Sequence, residues 1–130
     1  MATETIPYRS VMTQRVAEGA TCLLYGTLKD ERGALLPGSE LTTLTLTLYE
    51  KSTKEILNSR EDSNILQTGG GTVDNGGYLE LELYAADNEI IKPRATSEVH
   101  VALIEYSYQG TKTGKHEIEF TVANLVKVPV

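Results

Sequence analysis

Two histidines, one cysteine, two acidic turns and a set of tyrosines are the residues of this chain whose types and spacing could do chemistry. His100 and His116 have no second His or Cys at metal-ligand spacing, so a zinc site is not predicted. A Ser-His-Asp arrangement can occur in any chain order, but no GxSxG-type elbow is present to seat a nucleophile. Cys22 is a lone cysteine within TCLLYGTL and reads as a small buried hydrophobe, since no basic partner is named that would make its thiolate. Asp74-Asn75-Gly76 and Asp87-Asn88-Glu89 offer oxygen ligands but lack the EF-hand spacing. Turn chemistry, with Asp and Asn bonding their own backbone, is the expectation for both. Gly69-Gly70-Gly71 lacks the Lys and Ser/Thr of a phosphate loop and reads as a tightly packed or flexible connection. The sequence therefore predicts no catalytic residue, no cofactor and no metal.

Tyrosine is the residue left with something to offer. Tyr25, Tyr49, Tyr78 and Tyr84 fall on outward parities of strand-like runs, where they could stack on sugars or meet a protein partner. Seven Tyr, one Phe and no Trp leave an aliphatic core to be built from Leu, Val and Ile.

The elements that position these residues announce themselves by alternation with period two. Residues 41–50 set Leu44, Leu46 and Leu48 against Thr43, Thr45, Thr47 and Tyr49. Residues 78–84 set Leu79, Leu81 and Leu83 against Tyr78, Glu80, Glu82 and Tyr84. Residues 115–123 point Ile118, Phe120 and Val122 inward, with His116 on the same parity at the core margin. Residues 21–28 form a further strand, and 6–17 an irregular N-terminal edge strand, because Pro7 cannot serve a central position. Lys54 to Asn58 is expected to return as a short strand. Asp62 to Gln67 has the capping chemistry for one helical turn. Seven or more strands separated by turns, without an amphipathic helix, predict an all-β antiparallel β-sandwich in one domain spanning residues 1–130, with a small barrel as the alternative.

Residues 97–108 differ in being apolar on both faces: Val99, Val101 and Leu103 on one, Ala102, Ile104, Tyr106 and Tyr108 with His100 on the other. Such a strand is covered twice, and the second cover would be either the glycine-rich 59–77 segment or another subunit. Residues 125–130 are apolar beyond Asn124 and form a candidate docking tail. The candidate interface residues are thus Tyr106, Tyr108, Leu125, Val126, Val128 and Val130.

A net charge of -6 and a pI near 4.9 argue against nucleic acid and anionic membrane as partners. MATETIPYRS has no apolar signal-peptide core, and no apolar run reaches a membrane span.

The succession of LTLTLYE, NSRED, DNGGYLELEL, an acidic ADN corner and a His in the penultimate strand, over roughly residues 23–125, resembles small Ig-like accessory domains of tailed-bacteriophage and prophage virions. The resemblance implies an Ig-like sandwich in a head, neck, tail or baseplate position, made in the host cytoplasm and assembled with other virion proteins or with copies of itself. The alternative is a small carbohydrate- or receptor-binding module that uses the outward tyrosines.

Overall fold

A computed structural model describes residues 9–92 and 94–124. The chain is all-β. Its strands are β1 (Arg9–Val11), β2 (Val16–Ala17), β3 (Cys22–Thr27), β4 (Leu41–Glu50), β5 (Ser63–Asn64), β6 (Gly71–Val73), β7 (Tyr78–Leu83), β8 (Ser97–Tyr108) and β9 (Lys112–Ala123). Two short 3-10 turns, Gly38–Glu40 and Ala85–Asn88, sit between strands. The larger sheet runs β1-β9-β8-β4-β5 with β2 also on β9; the smaller runs β3-β7-β6.

The alternation read from the sequence is the one that builds the core. Leu44, Leu46, Leu48, Leu79, Leu81, Leu83, Ile118, Phe120 and Val122 are all at most 1 % exposed and belong to one cluster shared by both sheets. A register irregularity between Leu41 and Thr43 lets Leu41 join the same interior although it is three residues from Leu44.

Three expectations are corrected. The larger sheet is mixed rather than antiparallel, because β1 and β2 pair parallel to β9, Arg9 opposite Glu117 and Val16 opposite Val122. The N-terminal segment does lie at the sheet edge, as two short strands; residues 6–8 of the expected strand lie outside the described residues. Asp62 to Gln67 is extended at β5 instead of helical. Leu48 N donates to Arg60 O at 2.8 Å and Ile65 N to Leu44 O at 2.9 Å, so the edge of β4 captures this backbone. The expected strand over 54–58 shrinks to a single bridge, Tyr49 to Ile56, since Lys54 and Asn58 adopt φ of 64° and 51°.

Segment 59–77 links the two sheets. β5 pairs with β4, β6 pairs with β7, and Ile65 is fully buried. Its backbone approaches closely at Gly70 and Gly71, where a Cβ would sit 2.3 Å from Glu82 O and from Ile65 O respectively. Gly77, with φ of 79°, lets the turn before β7 lie against Leu36.

Candidate binding surfaces

The two histidines are structural in their contacts. His100 is fully buried, with Nε2 bonded to Glu98 Oε1 at 2.9 Å and its ring edge-on to Phe120 at 5.7 Å. Glu98 in turn accepts the backbone N–H groups of Ile91 and Lys92. His116 is 3 % exposed, and its Nε2 lies 2.9 Å from Ser10 Oγ, a bond that ties β1 to β9. Burial, then the nearby Lys29 charge, pushes the His116 pKa down, which keeps the ring neutral. His116 Nδ1 has no hydrogen-bond partner among the described residues. Cys22 is half-buried beside Asn88; burial pushes its thiol up, away from reactivity.

Asp74 does the work expected of turn chemistry. Asp74 Oδ1 accepts Gly76 N at 2.8 Å and Tyr78 N at 3.0 Å. Asp87 is fully buried and saturated: Oδ1 accepts Asn58 Nδ2 and Arg60 Nε, while Oδ2 accepts Tyr84 N and Arg60 Nη2. Desolvation pulls the Asp87 pKa upward, but the bonds from Arg60, Asn58 and Tyr84 outweigh it and hold the group ionised. The Arg60 guanidinium also stacks 5.3 Å from the Tyr84 ring. This node joins segment 59–77 to the Ala85–Asn88 turn, and nothing in a single carboxylate of the sequence announced it. Among the described residues no group of three or more His, Cys, Asp or Glu is placed to hold a metal ion. No helix among them is long and apolar enough to cross a membrane.

Tyr106 and Tyr108, named above as candidate interface residues, turn inward. They are 5 % and 2 % exposed, stacked on each other at 6.1 Å, and use their hydroxyls within the chain. Tyr106 donates to Lys29 O at 2.8 Å and Tyr108 to Glu31 Oε1 at 2.9 Å. The physical reason is parity: of the two apolar faces of β8, the even-numbered one is the core face. A cleft of about 670 Å³ lies over these two rings, between Lys29, Glu31, Thr113 and Lys115. Lys112 at 2.6 Å leads the contacts that hold Glu31 down at about 2 on its rim. Leu125, Val126, Val128 and Val130 lie outside the described residues.

The odd-numbered face of β8 is the outward one. Val101 is 5 % exposed, and Val99 and Leu103 are half-buried. Across the register Val101 stands between Tyr49 and Glu119. Glu119 receives Arg9 Nη2 and Lys51 Nζ, each at 2.6 Å, so a clasp of charges spans this part of the sheet. Lys51, then Arg9, pulls the Glu119 pKa down against its desolvation.

The smaller sheet has a wetter outer face. Leu23, Tyr25, Tyr78 and Tyr84 are 39 %, 59 %, 55 % and 43 % exposed, so the outward placement of these three tyrosines is what parity had indicated. Tyr25 lies opposite Glu80 and Thr27 opposite Tyr78, and a groove of about 310 Å³ runs between the two tyrosines.

Neither a family model nor a curated protein matches the chain. Among solved structures it is similar to a family 123 glycoside hydrolase from Clostridium perfringens, at 12% identity and a TM-score of 0.31, over 93% of this chain and 23% of that one. The chain thus spans less than a quarter of that protein's chain.

Proposed function

We propose that this chain is a non-enzymatic structural subunit of a tailed-bacteriophage virion, an Ig-like β-sandwich that docks on neighbouring subunits through the outer face of its larger sheet. The observation that carries the reading is the half-buried outward pair Val99 and Leu103 at the middle of that sheet, either side of the buried Val101, edged by Tyr49, Thr45, Thr47 and Thr121 and bordered by the Arg9, Lys51 and Glu119 charges. An apolar centre within a polar rim is the anatomy of a protein interface. Size agrees. β4, β8 and β9 present a plane about 40 Å by 14 Å, widened by the edge strands to roughly 600–800 Å², and a standard interface takes about 800 Å² from each partner. The resemblance of LTLTLYE, DNGGYLELEL and the ADN corner to virion accessory domains supports the particle as the place of assembly.

Leu103→Arg tests the reading. The side chain is half-buried on the outward row, opposite Thr47 and Glu117, where an arginine finds a carboxylate neighbour. The variant is expected to melt within a few degrees of the parent, because substitutions outside the core are mild, yet to be missing from particles or from oligomers measured by light scattering. Normal incorporation of the folded variant would overturn the proposed docking face.

A further inference from the structure

We propose that the outer face of the smaller sheet is a binding site for neutral oligosaccharide, with Tyr25 and Tyr78 as its platform. The site lies on the opposite side of the core from the proposed docking face and does not depend on the virion reading.

The geometry begins with register. Tyr25 on β3 faces Glu80 on β7, and Tyr78 is two residues before Glu80, so the two tyrosines are diagonal neighbours on one sheet face. Such neighbours stand about 7–8 Å apart at their backbones. Both residues are more than half exposed, and the groove between them is walled also by Thr72, Asp74 and Glu80. The backbone of Tyr78 is anchored in the Asp74 turn, its N–H donating to Asp74 Oδ1 at 3.0 Å, and its ring lies so close to Gly76 that a Cβ there would come within 3.0 Å of Cε2. Tyrosine offers contact area at little entropic cost.

The chemistry of the groove then selects its occupant. Aromatic faces attract the C–H-bearing face of a sugar ring, and exposed carboxylate and hydroxyl oxygens accept from sugar hydroxyls. Glu80 and Glu82 share this face in a chain of net charge -6, so sialylated, sulfated or phosphorylated ligands are repelled. A protein partner is disfavoured by area. β3 and β7 have six residues each and β6 three, a plane of roughly 250 Å², far below the 800 Å² or so that a standard protein interface takes from each side. Short oligosaccharides need no more than this.

The test is retention of the full chain on immobilised neutral hexose and N-acetylhexosamine oligosaccharides, with sialylated and sulfated oligosaccharides as the second panel. Retention on the neutral panel is expected, weakened about two- to tenfold in Tyr25→Ala and Tyr78→Ala, the scale on which a lost aromatic contact falls. Tyr25→Phe and Tyr78→Phe should keep it, and the melting temperatures of all four variants should stay near that of the parent. No retention of the parent on the neutral panel would overturn the proposal. So would retention indifferent to both alanine variants, or stronger retention on the charged panel.

Discussion

His116 shows how a single titratable side chain couples the first and last strands to pH. It sits on β9 with the core parity of Ile118, contacts Ser10 on β1, and leaves no room for a side chain at Gly26, where a Cβ would meet Nε2 at 2.9 Å. Burial lowers its pKa in the folded chain, whereas in the unfolded chain it titrates near the ordinary value of about 6.5. The unfolded state therefore binds the proton first as pH falls. The stability tied to a neutral His116 is complete above about pH 6.5 and is lost as pH drops from there toward the lowered folded value. Urea melts should show this decline in the parent and not in His116→Gln. An equal decline in both would sink the assignment to His116. The carboxylates contribute at lower pH. Glu50 stays near 2 because, against its desolvation, it accepts Ser52, Thr53 and Lys92, so its share is lost only as pH falls below the usual carboxylate range of about 4. The core-margin place of His116 was legible from its parity, but its partner was not. Ser10 is 106 residues away, and nothing local marks which strand a short N-terminal segment will join.

At the scale of elements, legibility followed the regularity of the pattern. β4, β7 and β9 alternate cleanly, and their inward residues were readable because one wet face and one dry face leave a single choice of register. β8 is apolar on both sides, so the sequence showed that it was special without showing which face was the core. Tyr106 and Tyr108 stand as interface candidates in the sequence for that reason. Segment 59–77 resisted for another. Its local chemistry suits a helical turn at Asp62, but the open edge of β4 offers bonds that a lone turn cannot match. Gly71 is where that segment packs tightly on its own Ile65. Gly71→Ala should cost roughly 1–3 kcal/mol, since its Cβ would meet the carbonyl oxygen of Ile65, a backbone atom that cannot rotate away. Chemical denaturation checks this. A loss below about 0.5 kcal/mol, the scale of an indifferent surface change, would mean that the segment sits more loosely than described.

At the scale of the whole molecule, the first and last strands are brought together by pairing rather than by sequence. Arg9 and Glu119 are 110 residues apart and their side chains meet at 2.6 Å. The parallel pairing of β1 and β2 with β9 could not be read from alternation, which fixes faces and leaves strand direction open. The consequence is cooperativity. β9 is bonded to β1, β2 and β8, while Leu24, Leu79, Leu81 and Leu83 of the smaller sheet share one buried cluster with Leu46, Ile104 and Phe120 of the larger. Neither sheet has a dry interior without the other, so neither should persist alone. The chain has no tryptophan, which allows a single reporter to be placed on each sheet: Tyr25→Trp on the smaller and Tyr49→Trp on the larger, both at positions outside the core. Denaturant melts followed by tryptophan fluorescence in the two variants, and by circular dichroism in each, should superimpose in shape within each variant and share one slope. The long-range pairing also predicts slow refolding, on the order of milliseconds to seconds, as expected for non-local β topologies. If Tyr25→Trp reports loss of the smaller sheet while circular dichroism still registers the larger one, the shared core is not the unit that holds the fold, and the two sheets are separable folding units instead.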